Sequence, residues 1–135
     1  MSTGFLHLNN QNVFVVCKSM KDLPEASYYD HALIFLGYRH KYVCEGKSMN
    51  PTLKDGEVVL VDRDAEIEVG DIVIAKQPLE QITEVAKRVK SINERGHYFL
   101  IGDNPADSTD SRHYGAVTKE YIKGKVVARL NEIRK

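Results

Sequence analysis

From residue 40 onward the chain consists of short β-branched runs separated by turn dipeptides, and this alternation restricts it to a β architecture. Glu57-Val58-Val59-Leu60-Val61-Asp62 follows Asp55-Gly56, and Ile72-Val73-Ile74-Ala75 follows Gly70-Asp71. Residues 83–89 and 97–101 supply two more strands, and Val126-Val127 falls in the last one. Val, Ile and Thr fit a pleated, half-buried surface, and Asp-Gly and Gly-Asp steps permit tight reversals between neighbours. The expected fold is mainly β: a compact antiparallel or mixed core with little helix. In the first forty residues, residues 13–16 read as a strand and residues 23–36 as a short helix opening after Pro24.

The length of 135 residues suits a single domain, with residues 41–130 as its core and residues 1–40 as an N-terminal arm. A chain of this size buries about two thirds of its unfolded surface without staples. Nineteen Lys and Arg balance nineteen Asp and Glu, so no net positive field favours nucleic acid. Cys17 and Cys44 form no Cys-x-x-Cys pair and read as buried or idle thiols of a reducing compartment, with a single disulfide between them as the open alternative. His7, His31, His40, His97 and His113 are scattered, so neither a metal nor a cofactor is expected. Residues 1–16 lack a basic start, and Asn9, Asn10, Gln11 and Asn12 interrupt their apolar residues, unlike a secretory signal. The most apolar stretch, residues 32–36, is far short of the roughly 20 residues that cross a bilayer. These features lead to the expectation of a soluble, cytoplasmic protein. Residues 62–68 and 131–135 read as solvated loop and tail.

Ser48, in Gly46-Lys47-Ser48-Met49-Asn50-Pro51-Thr52-Leu53, lies in a turn that Pro51 stiffens. A serine hydroxyl is a poor nucleophile until a base takes its proton, and no Gly-x-Ser-x-Gly elbow points to a histidine partner. A lysine serves if it is neutral, and since a solvated lysine titrates near about 10.4, neutrality requires burial. Strand alternation puts Val85, Lys87 and Val89 on one face and Ala86, Arg88 and Lys90 on the other, so Lys87 is the basic residue of the apolar face. Lowering its pKa by about 3 costs about 4 kcal/mol, a load a folded core can carry. Arg88 cannot substitute, because a guanidinium stays protonated.

Taken with Gly70-Asp71-Ile72-Val73, Lys87-Arg88-Val89 and Gly102-Asp103-Asn104 through Ser108-Thr109-Asp110-Ser111-Arg112-His113-Tyr114-Gly115, the Ser48 run resembles the ordered boxes of type I signal peptidases across residues 42–127. The resemblance implies a signal-peptidase or LexA-like β catalytic core and a serine endopeptidase. Ser48 would be its nucleophile and Lys87 its general base. Ser108 would orient the lysine amine, Asp110 and Arg112 would pair to hold that loop, and Ser111 is a weaker candidate beside them. The Ser48 backbone N–H would be the first oxyanion donor, and Met49 would contribute to the substrate pocket. Some relatives add a serine hydroxyl two positions before the nucleophile, where this chain has Gly46.

Relatives that process exported precursors carry transmembrane anchors and a long β insertion, neither of which is expected here. Gly-Asp-Asn-Pro followed by Ser-Thr-Asp-Ser-Arg is similar to the nickel-type superoxide dismutase maturation proteases. That likeness implies a cytoplasmic precursor as partner substrate, with the nickel belonging to the substrate. Two other readings use the same residues: a membrane-associated signal peptidase docking through residues 32–36 or a partner chain, and a self-cleaving regulator of the LexA type. The regulators cut at Ala-Gly or Cys-Gly, and this sequence contains neither dipeptide.

Overall fold

A computed structural model describes residues 5–8, 14–17 and 23–130. Strands β1 (Phe5–Leu8) and β2 (Phe14–Cys17) pair antiparallel as a two-stranded sheet. Helix α1 (Tyr28–Phe35) follows, then β3 (His40–Val43), β4 (Val58–Asp62), β5 (Ile72–Gln77), β6 (Glu80–Ile92), β7 (Tyr98–Ile101), the short helix α2 (Ser111–Tyr114) and β8 (Ile122–Arg129). The second sheet has six strands in the order β3-β4-β8-β5-β6-β7, with every neighbouring pair antiparallel. The mainly β architecture expected from the sequence is therefore the one observed. The expected closing tail, residues 131–135, lies outside the described residues.

Helix α1 starts later than the Pro24 signal suggests. The Ser27 hydroxyl accepts the Asp30 N–H while the Asp30 carboxylate accepts the Ser27 N–H, a reciprocal cap that fixes the first turn. Residues 24–26 instead run beside the end of β8, where Arg129 N–H donates to Pro24 O at 2.9 Å and Ala26 N–H donates to Arg129 O at 2.8 Å.

Both faces of the large sheet are covered. Alternate residues of β5 divide between two cores, as a period of two requires. Ile72 and Ile74 join Met49, Leu53, Val59, Val61 and Val126, while Val73 and Ala75 join Val89, Tyr98, Leu100 and Val117. Strand β6 crosses between these layers, which is why Lys87 and Arg88, on opposite faces, are only 2% and 4% exposed.

Candidate active site

The Ser48 turn leaves β3 and returns at β4. Gly46 takes a positive φ of 85°, a conformation that costs glycine little, and its N–H donates to Asp55 Oδ1 at 2.9 Å. Met49 and Leu53 plug the turn into the core and leave Ser48 half-buried at its rim. Asn104 fastens the turn from outside: its N–H donates to Ser48 O at 2.8 Å and its Nδ2 donates to Lys47 O at 3.0 Å. Among the described residues the Ser48 N–H has no acceptor.

Lys87 sits in the middle of β6 opposite Val73. Its Nζ donates to Ser108 Oγ at 3.1 Å, and Ser108 Oγ donates to Asp110 Oδ2 at 2.6 Å. The Ser108 proton is thereby committed to Asp110, so the amine meets a lone pair and keeps its own lone pair unused by Ser108. Among the described residues no direct hydrogen bond joins Lys87 Nζ to Ser48 Oγ. Burial pushes the Lys87 pKa below its ordinary value of 10.5; the Asp110 charge opposes that shift and the Arg112 charge adds to it.

Asp110 is fully buried and acts as the N-cap of α2. Its carboxylate accepts the Gly102 N–H at 2.9 Å, Arg112 Nε at 2.8 Å, Arg112 Nη2 at 2.8 Å and the Arg112 N–H at 3.1 Å. Burial alone pushes its pKa up, but the hydrogen bonds from Arg112, Ser108 and Gly102 outweigh it and hold the carboxyl well below the usual range. Asp110 and Arg112 thus meet through the capping of α2. Ser111 Oγ accepts the Leu100 N–H at 2.9 Å and ties α2 to β7, with no bond to Lys87.

Gly102 lies where these parts converge. A Cβ at this position would fall 2.2 Å from Ser108 Oγ and 2.5 Å from Ser48 O, so only glycine lets the loop pass between the serine turn and the lysine's partner.

A network that sequence reasoning did not assign lies on the other side of β6. Asp103 accepts Arg88 Nε at 3.2 Å and Arg88 Nη2 at 2.6 Å in a fork, and it also accepts the Thr52 hydroxyl at 2.6 Å. Arg88 Nη1 donates to Gly70 O at 2.8 Å. The available signal was adjacency, since Arg88 follows Lys87 and Asp103 precedes Asn104.

A cleft of about 340 Å3 opens beside Ser48, walled by residues 42–46 on one side and 83–86 on the other, with Met49, Leu53 and Ile74 in its floor. Cys44 lines it, and burial, with the Glu57 charge, pushes this thiol up to about 11, so it stays protonated and unreactive at neutral pH. β3 is an edge strand of the sheet, and the 84–86 part of β6 pairs with β5 but not with β7. Two strand edges therefore face the cleft. Among the described residues no group of three or more His, Cys, Asp or Glu is placed to hold a metal.

An antiparallel β core that buries a lysine amine beside a serine-bearing turn and an open cleft has the layout of a signal-peptidase-like peptidase. The comparisons agree: the family described as Peptidase S24-like matches residues 39–127, and the chain belongs to that family. The mitochondrial inner membrane protease subunit 1 of Schizosaccharomyces pombe is 36% identical over 124 residues, covering 71% of this chain and 79% of that protein. The mouse protein of the same name is 32% identical over 111 residues, covering 65% and 67%. The Arabidopsis thaliana mitochondrial ATP-independent inner membrane protease subunit 1a is 32% identical over 111 residues, covering 63% and 66%. The chain thus spans about two thirds of the length of the mouse and plant relatives.

These relatives overturn the expected cytoplasmic location, since each is named for the mitochondrial inner membrane. That expectation rested on the lack of a long apolar run. Among the described residues no helix is long and apolar enough to cross a membrane, but peripheral attachment requires no spanning helix. None of these three is a nickel superoxide dismutase maturation protease.

Proposed function

We propose that this chain is a serine endopeptidase of membrane-associated precursor proteins, with Ser48 as nucleophile and Lys87 as general base. The observation that carries this reading is the Lys87 amine, buried, hydrogen-bonded to a hydroxyl that has given its own proton to Asp110, and depressed in pKa. Such an amine accepts the Ser48 proton as the hydroxyl attacks the scissile carbonyl, then returns it to the leaving amine. Water hydrolyses the resulting acyl-enzyme by the same route. The Ser48 N–H supplies one donor to the oxyanion. A substrate chain in extended form adds to the strand edges beside the cleft, with its side chains alternating into the floor formed by Met49, Leu53 and Ile74.

Attachment to a membrane surface is supported by the relatives' names and by α1, which has no buried residue. Tyr28, Tyr29, Phe35 and Leu36 are 97%, 70%, 90% and 63% exposed, and at helical spacing they share one arc with Ala32. Tyrosine and phenylalanine on one helix face suit the boundary between headgroups and acyl chains. The narrower reading, leader removal from a nickel superoxide dismutase precursor, rests on the Gly102–Pro105 and Ser108–Arg112 likeness alone.

The experiment digests a peptide library with wild type, Ser48→Ala and Lys87→Met and reads new termini by mass spectrometry, with the nickel superoxide dismutase precursor as a separate substrate. Wild-type cuts absent from both variants are expected; equal cutting by all three excludes the dyad. Library cleavage without precursor cleavage removes the narrower reading only.

A further inference from the structure

We propose that Arg129 is a positioning residue for the Ser48 turn, whose far limb its guanidinium ties to the last strand. The inference rests on the Ser48–Lys87 reading above and adds to it a residue that lies neither on the proton path nor on the strand of the lysine. Arg129 ends β8 and stands opposite Val59 in the β4–β8 pairing. Opposed residues of an antiparallel pair share one face of the sheet, so Arg129 is on the side of Val59, which packs with Met49 and Leu53. From there its Nη2 donates to Thr52 O at 2.6 Å, and its Nη1 pairs with Glu57 Oε2.

The loop between β3 and β4 is joined at its neck. Cys44 N–H donates to Glu57 O at 2.8 Å, Gly56 N–H donates to Cys44 O at 2.7 Å, and Gly46 N–H donates to Asp55 Oδ1 at 2.9 Å. Thr52 is farther out, four residues beyond Ser48, and Arg129 holds its carbonyl from outside the loop. A guanidinium can serve a carboxylate and a carbonyl together because its donors fan out in a fixed plane. The side chains of Arg129 and Glu57 are 23% and 24% exposed, so the pair is largely out of solvent, where a charged donor holds a carbonyl more firmly. The backbone of Arg129 is fixed as well, since its N–H donates to Pro24 O and its carbonyl accepts the Ala26 N–H. The anchor of the serine turn is therefore set where the segment leading into α1 joins the sheet. A small error in serine placement costs rate steeply, because proton transfer and attack both need hydrogen-bond reach.

The informative variant is Arg129→Met, which keeps an unbranched stem and removes both donors. It is read beside Arg129→Lys, whose single ammonium keeps a charge for Glu57 but cannot span to Thr52 O as well. Activity is measured on the peptide that wild type cleaves fastest in the library digest, and loop placement by hydrogen–deuterium exchange. Arg129→Met is expected to lose about tenfold in kcat with KM within about twofold. Its residues 44–57 should exchange faster while β5 and β6 keep wild-type rates. Arg129→Lys should keep its thermal midpoint within about 3 °C of wild type yet stay at least about threefold low in kcat, a split that a purely stabilising role would not produce. The proposal is overturned if Arg129→Met keeps kcat within about twofold of wild type, if its loss equals the unfolded fraction measured by circular dichroism, or if Arg129→Lys has full wild-type kcat. Should Arg129→Met fail to fold, the lysine variant decides alone. Cleavage by Ser48→Ala would instead sink the peptidase assignment and leave the exchange result standing, so the two failures are told apart.

Discussion

Lys87→Met tests the burial of a neutral amine without any substrate. The replacement keeps an unbranched side chain of similar length in the buried site and removes the titrating nitrogen. In the unfolded chain the amine binds a proton up to its ordinary value of 10.5, whereas in the folded protein burial lowers that value. Between the two, the unfolded state carries one more proton than the folded state. Wild-type stability must then rise with pH through this window, at about 1.4 kcal/mol per pH unit, and no such contribution exists in the variant. Each pH unit inside the window changes the stability difference by that amount, a shift of about 5 °C in midpoint for a domain of this size. Other lysines and tyrosines titrate in both proteins and cancel in the difference. The assay is urea unfolding of both proteins from pH 6 to 11, with the variant expected to be the more stable at neutral pH and the curves converging toward pH 10.5. The loss of the bond to Ser108 subtracts about 1 kcal/mol from the variant at every pH and does not alter the slope. Parallel curves would show that Lys87 titrates like a solvated lysine, and a difference growing with pH would show that folding favours its charge; either outcome rules out a base kept neutral by burial.

Three other outcomes are expected. Gly102→Ala should lower kcat by about a hundredfold while the circular dichroism spectrum is retained, because the new methyl displaces Ser108 Oγ from a 2.2 Å overlap and with it the partner of Lys87; unchanged turnover would show that the loop yields without cost. Asp110→Asn should flatten the acid limb of stability: the depressed carboxyl contributes stability that is present above its unfolded value of 3.8 and is lost as pH falls through the folded one, so urea midpoints of wild type and variant should approach one another between pH 5 and 2. Replacing Tyr29, Phe35 and Leu36 together by serine should abolish co-flotation with vesicles of mixed zwitterionic and anionic lipid while peptide cleavage in solution continues; equal flotation would remove α1 as the attachment surface.

The strands of the core were legible because their residues carry local signals. β4 and β5 are uninterrupted β-branched runs after Asp-Gly and Gly-Asp turns, and both emerge where those signals put them. β6 is longer than expected, reaching back to Glu80, because its first half has a free edge and polar residues that break the apolar pattern. β3 has only four residues, and its His40 and Lys41 carry no strand signal. α2 spans a single turn, too short to show a period, and only the Asp110 cap in three dimensions identifies it. Lys87 could be singled out because alternation is a property of one strand. The Arg88–Asp103–Thr52 chain could not, since its members are separated by 15 and 51 residues and meet only through the sheet order. The location named by the relatives has no such local signature in this sequence, and the cytoplasmic expectation drawn from composition was overturned.

Lys87 and Arg88 show how one strand gives two buried basic residues different partners in consecutive positions. Both cations are buried, and both would be costly without a partner. The fold gives Arg88 a carboxylate in a fork, which fixes the guanidinium in one orientation. It gives Lys87 a hydroxyl whose own hydrogen is turned away toward Asp110, and it directs the Asp110 charge largely onto Arg112. The nearest full negative charge therefore acts on the amine only through an intervening serine and against an opposing guanidinium, and desolvation wins. Exchanging the two partners would reverse the outcome: a carboxylate in place of Ser108 would favour the charged form of Lys87. The hydroxyl at 108 and the carboxylate at 103 thus give two neighbouring buried cations different electrostatic surroundings.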